Sequence, residues 1–209
     1  MDTNLFEKGL LITAIPFFIA ASCNKNDTRP CANGGYAFTV TSEWSPQREV
    51  YNIGDTIFLN STFSKNLTDL IGNSNINYSN SVGISGNITT SFMDTVTHRI
   101  IDAFLSFEVV PIKGSVAPIN NVPNAGVSIT FLEESNYNFK AGFVLKQKGL
   151  FQLAVTNLAS QGIRRENCTN AGFNMTVTNS NKNINLFEYA LRYIPDALLQ
   201  KSIYCFRVQ

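Results

Sequence analysis

Histidine is nearly absent from this chain of 209 residues: His98, in TVTHRI, stands alone. A hydrolytic nucleophile needs a base beside it, most often a histidine. No GxSxG elbow accompanies His98, so it reads as a surface residue next to Arg99. HExxH, the EF-hand loop, the Walker A loop and the dinucleotide fingerprint are all missing. No CxxC or Cys/His spacing suggests zinc, and no cofactor is expected. Charge is also scarce. Lys and Arg total 16 against 15 Asp and Glu, with no basic stripe. Nucleic-acid binding therefore has no electrostatic footprint. Nor is there an apolar run of the roughly 20 residues that a spanning helix needs.

What is present begins with a short greasy leader. Leu10 to Cys23, LLITAIPFFIAASC, is apolar, is interrupted by Pro16 and ends in Ala20, Ala21 and Ser22 before Cys23. An apolar run of about 7–15 residues closed by small residues is the pattern of a secretory signal peptide. The expected division is a signal peptide over 1–22, a tether over 23–34 and a folded domain over 35–209. The start, MDTNLFEK, is not clearly basic, and Ala20 stands where a lipobox usually has Leu. An ordinary cleaved leader with a structural Cys23 is therefore the alternative to lipidation. Export into an oxidising compartment makes a disulfide plausible, and Cys168–Cys205 is the expected pair.

The body alternates. Tyr36–Thr41, Thr56–Phe63, Val127–Glu133, Tyr137–Leu145, Gly172–Thr178 and Ser202–Gln209 each place apolar residues on one face. That is the period of a half-buried strand. Ala103–Pro111 is read the same way, with Leu105, Phe107 and Val109 together. Lys148-Gly149 reads as a hairpin turn returning through Phe151, Leu153 and Val155. Residues 64–90, rich in Gly, Asn and Ser, read as one long loop; 91–102 fit either strand or helix. Asn185–Tyr193 has helical spacing and Pro195 ends it.

About eight short strands with at most one short helix near the C-terminus predict an all-β, antiparallel two-sheet β-sandwich. Its 16 Phe residues suffice to fill the core, and the single Trp44 is expected to cover one end of it.

Three stretches carry a resemblance. SCNKND after the leader is similar to the start of many Bacteroidota lipoproteins. Tyr51–Asp69, YNIGDTIFLNSTFSKNLTD, and Leu198–Val208, LLQKSIYCFRV, resemble parts of a family of small surface lipoproteins from that group. The resemblance implies an immunoglobulin-like body and a lipid on Cys23, so that the membrane is a partner through the anchor. It also implies an outer-membrane location, facing either the periplasm or the cell surface. It implies no catalytic residues. Asp55-Thr56-Ile57 and Asp94-Thr95-Val96 resemble that group's O-glycosylation acceptors, at Thr56 and Thr95; for the first, a turn leading into a strand is the simpler account.

Two functions follow. One is a non-catalytic envelope module that binds a protein or glycan, or serves as a structural part. The other is an envelope enzyme such as a glycan hydrolase, which would use carboxylates from Glu108, Glu133 or Glu134.

Overall fold

The computed structural model describes residues 35–97, 99–119, 124–166, 169–180, 183 and 202–209. They belong to one compact unit, Cys31–Gln209. Among them are sixteen strands and one 3-10 turn. In order these are β1 (Tyr36–Ser45), β2 (Val50–Tyr51), β3 (Thr56–Phe63), β4 (Asn66–Asp69), β5 (Ser74–Asn77), β6 (Ile84–Asp94) and β7 (Arg99–Asp102). The 3-10 turn Phe104–Ser106 precedes β8 (Phe107–Lys113), β9 (Ser115–Pro118), β10 (Gly126–Thr130), β11 (Leu132–Glu133) and β12 (Tyr137–Leu145). Then follow β13 (Gly149–Val155), β14 (Leu158–Ser160), β15 (Ala171–Val177) and β16 (Ile203–Val208). The described residues are thus nearly all-β, as their alternation requires. No helix among the described residues is long and apolar enough to cross a membrane. The helical spacing at Asn185–Tyr193 lies outside the described residues.

The strands pair in two groups that meet at β1. Its first seven residues run parallel to β15, from Tyr36 opposite Ala171 to Ser42 opposite Val177. Its last three, Glu43 to Ser45, run antiparallel to β3. The first group continues through β15, β14, β6, β13, β16 and β2. In the second, β12 lies between β3 on one side and β8 and β11 on the other. The pairing is not purely antiparallel: β1 with β15 and β16 with β2 are parallel. Strands so far apart in sequence meet through long connections, so no local turn dictates their direction.

Inward residues of both groups join one core. Phe38 and Val40 of β1, Ile57 and Leu59 of β3, Phe139 and Phe143 of β12, Phe151 of β13, Phe173 of β15 and Phe206 of β16 belong to it, each at most 2 % exposed. Aromatic contacts knit it together. Phe63 meets Phe131, Tyr137 and Phe173 at 5.2–5.9 Å between ring centres, and Phe151 meets both Phe107 and Phe206. Such pairs add about 0.5–1.5 kcal/mol each beyond the area they bury. Trp44 is 1 % exposed and packs against Phe143 and Tyr204 as part of the core.

Three expectations are corrected and one open reading is decided. Residues 64–90 are not one loop: β4 and β5 pair through Asn66–Asn77 and Asp69–Ser74, and β6 begins at Ile84. Polar residues hide that hairpin: Thr68 and Asn75 bond across its outer face, and only the pair Leu67 and Ile76 turns to the core. Between 91 and 102, where strand or helix both fitted, the described residues hold the end of β6, a turn and β7. Leu105 does not share a face with Phe107. It sits in the 3-10 turn and is 78 % exposed. Finally, Lys148-Gly149 does not close a hairpin, since β12 and β13 belong to different groups and the turn carries the chain between them.

Candidate functional site

Where β1 changes partner, the two groups of strands part. Ser42 is the last residue paired to β15, and Glu43 the first paired to β3. Between them opens a cleft of about 230 Å³ lined by Thr41, Ser42, Glu43, Asn60, Ser61, Thr62 and Thr178. Every one of these side chains is polar, and none is cationic.

The cleft is held open by hydrogen bonds rather than by packing. Ser61 Oγ donates to the Thr41 carbonyl at 2.8 Å, across strands that no longer form a ladder there. Thr178 donates its backbone N–H to the Ser42 carbonyl at 2.9 Å. Beyond it, Asn179 takes over from the finished strand β15: its Oδ1 accepts from the Trp44 N–H at 3.0 Å and its Nδ2 donates to the Trp44 carbonyl. Asn60 Nδ2 donates to Ser45 Oγ at 3.0 Å. Ser42 is only 4 % exposed, yet its Oγ finds no partner among the described residues. A buried hydroxyl left without a partner costs about 1–3 kcal/mol.

The outer face beside the cleft is ordered by register. Gly142, Phe58 and Ser45 lie side by side in one row, and Lys140, Asn60 and Glu43 in the next. Phe58 is half-buried, with Lys140 Nζ 5.4 Å from its ring centre. Gly142 makes room for the ring. A Cβ there would lie 3.1 Å from Phe58 Cε1 and 2.9 Å from Thr56 Cγ2.

A second, smaller hollow of about 120 Å³ is lined by Gln47, Arg48, Glu49, Asn183 and Tyr204. Its polar groups are already engaged. The Arg48 N–H donates to both Tyr51 and Tyr204 hydroxyls, and Tyr204 donates back to the Arg48 carbonyl. The Tyr51 hydroxyl donates to the Pro46 carbonyl and lies 2.8 Å from that of Tyr204. Burial, then the Tyr204 hydroxyl, pushes the Tyr51 phenol far above its ordinary range. This is a lock on the 46–49 loop.

The carboxylates proposed for a hydrolase do not converge. Glu108 pairs with Lys146 at 3.3 Å, Glu133 with Lys65 at 3.1 Å and Glu134 with Lys113 at 3.0 Å. Burial works to raise the Glu133 carboxyl. The Asn80 N–H at 2.7 Å and the Lys65 ammonium outweigh it and hold the group below its usual range. A general acid needs the opposite shift.

The remaining sequence-derived sites divide. Cys23, His98 and Cys168 lie outside the described residues. Cys205 is a free thiol rather than half of a bridge. It points to the face of β16 opposite Tyr204 and Phe206, into a small apolar cluster with Met93 and Ile203. Burial there pushes its thiol up to about 12. Thr56 opens β3, half-buried, with its backbone opposite Val144 in the ladder. Thr95 lies in an exposed turn that Asp94 organises by accepting from the Val96 and Thr97 N–H groups. The cleft had no sequence signal, because it depends on where β1 changes partner.

No family model matches the chain, and no curated protein matches it. Among solved structures, it is similar to the second type II cohesin module from the adaptor ScaA scaffoldin of Acetivibrio cellulolyticus. That likeness has 12 % identity and a TM-score of 0.32, over 59 % of this chain and 78 % of the other.

Proposed function

We propose that this chain is a non-catalytic module of the bacterial cell envelope: an immunoglobulin-like β-sandwich moored by acyl groups on Cys23, which binds its ligand at the cleft beside β1. The observation that carries the reading is that the carboxylates a hydrolase would need are each held by a different lysine. The cleft is an open space lined by polar side chains.

The layered architecture is supported by one core that draws inward residues from both groups of strands. Mooring is supported by the leader that ends AASC at Cys23. A single acyl chain holds a protein to a membrane only marginally, whereas two or more hold it stably. Placement in the outer membrane, on either face, follows from the same resemblance. The exposed turn at Thr95 favours it over Thr56 as an O-glycan acceptor.

Detergent phase partitioning of the protein expressed in a lipoprotein-processing host tests the mooring. Wild type enters the detergent phase, and Cys23→Ala stays in the aqueous phase. Wild type remaining in the aqueous phase would overturn the reading.

A further inference from the structure

We infer that the end of the domain where β1 begins is a membrane-contact surface, with Leu70 and Ile71 seated in the lipid interface; this deepens the mooring proposed above and rests on it. Three observations converge. The first is a fixed apolar tip. The turn between β4 and β5 carries Leu70 and Ile71 side by side, 55 % and 67 % exposed. Asp69, itself 4 % exposed, accepts from the Ile71 and Gly72 N–H groups inside the turn and from the Ala37 N–H of β1. The Leu70 N–H donates to the Ala37 carbonyl at 2.7 Å. Two large aliphatic side chains are thus held in water by a turn bonded to the sheet. Exposed aliphatics scattered singly are ordinary, but these are adjacent and fixed. Apolar side chains bind a surface element to lipid by sinking about 5–10 Å into the headgroup boundary.

The second is position. Ala37, which holds the turn, lies just after Gly35, where the described domain begins. Cys23 is only a dozen residues earlier, and a dozen extended residues span at most about 40 Å. Acyl groups on Cys23 therefore keep this end of the domain within that distance of the bilayer. The third is charge. The 161–166 loop lies at the same end. The Tyr36 N–H donates to the Asn170 carbonyl, and Thr169 Oγ1 accepts from the Ile163 N–H. Arg164 and Arg165 are exposed on that loop, against one exposed carboxylate, Glu166. Val82, 42 % exposed, donates its N–H to the Gly162 carbonyl and adds another aliphatic there. Cations beside an apolar tip suit anionic headgroups over hydrocarbon. Other aliphatics are exposed elsewhere, Val96 at 86 % among them, but at the opposite end. Ile84 pairs with Ser160, which pairs with Ala171 opposite Tyr36. From there the 11 residues of β6 carry the chain about 35 Å away before Val96 is reached.

Tryptophan fluorescence of the full acylated chain in vesicles tests this. The vesicles hold phosphatidylcholine and phosphatidylglycerol, with or without brominated phosphatidylcholine, which quenches on contact. Leu70→Trp and Ile71→Trp report on the tip, and Val96→Trp on the opposite end. Wild type gives the background from buried Trp44. Emission from both tip variants shifts to the blue and is quenched by the brominated lipid; that from Val96→Trp and from wild type is not. Tip emission quenched no more than that of Val96→Trp overturns the inference and leaves the mooring standing. So does a blue shift that bromine fails to quench, since protein rather than lipid then covers the tip. Chains that do not float with the vesicles overturn the mooring, and the inference with it.

Discussion

The side-chain amide of Asn179 grips both backbone groups of Trp44, 135 residues away, and so carries the ladder one step past the end of β15. Both residues are buried, at 7 % and 1 % exposure. That clamp fixes where β1 leaves one partner for the other, and with it the position of the cleft. Asn179→Ala leaves a buried N–H and a buried C=O without partners, a cost of about 2–4 kcal/mol. Urea unfolding measures it. Asn179→Asp keeps the acceptor and loses the donor, and should fall between. An effect as small as that of an exposed substitution would remove the clamp from the account.

Asp69 ties the β4–β5 hairpin to β1. Its carboxylate accepts from the N–H groups of Ala37 at 2.9 Å, Gly72 at 2.6 Å and Ile71 at 3.3 Å. These bonds, that from Ala37 foremost, hold its carboxyl below the ordinary value of 3.8 against the opposing effect of burial. A lowered carboxyl stabilises the fold above the unfolded value and loses that contribution as pH falls through the folded one. Protection of the Ala37, Ile71 and Gly72 amides against exchange, taken relative to the unfolded chain at the same pH, should therefore fall below about pH 4. In Asp69→Leu that protection should be low at every pH, with its acid dependence gone.

The Cys205 thiol, pushed up to about 12 by burial, is almost wholly protonated at pH 8. The thiolate is the reactive form. Iodoacetamide labelling followed by peptide mass spectrometry should leave Cys205 unmodified in native protein and modify it fully in urea. The sign of the pH effect follows. A thiol raised above its ordinary 9.0 contributes stability that is intact below pH 9 and lost as pH climbs towards 12. A Cys168–Cys205 peptide recovered from oxidised native protein would contradict the free thiol.

The Tyr51 and Tyr204 hydroxyls form one network with the 46–49 loop. Tyr51→Phe removes the hydroxyl that serves Arg48 and Pro46, and should cost about 1–3 kcal/mol in denaturant. In wild type the Tyr51 phenol should not ionise until the protein unfolds, so alkaline absorbance titration should show a phase coincident with loss of circular dichroism. Ionisation of every tyrosine before unfolding would rule out the buried network.

Much of the fold was legible because alternation is a local signal. Tyr137–Leu145 needed no context: Tyr137, Phe139, Ala141, Phe143 and Leu145 are all buried. The same signal misled at Leu105, where a 3-10 turn breaks the period of 2 one residue before β8. It was faint at Asn66–Asn77, where the short strands turn a single apolar pair, Leu67 and Ile76, to the core among Asn, Ser and Thr residues. The direction of β1 against β15 could not be read, since it is set by contacts more than a hundred residues apart. The cleft was unreadable for the same reason. Thr41, Ser42, Asn60 and Thr178 are ordinary strand-edge residues until β1 divides its pairing between two neighbours.

The mooring of this domain is tested most directly by mass spectrometry of the N-terminal peptide from protein isolated from its own membranes. The account predicts that Cys23 is the first residue and carries diacylglyceryl and amide-linked acyl groups. An unmodified Cys23, or a chain that retains residues 1–22, would contradict it.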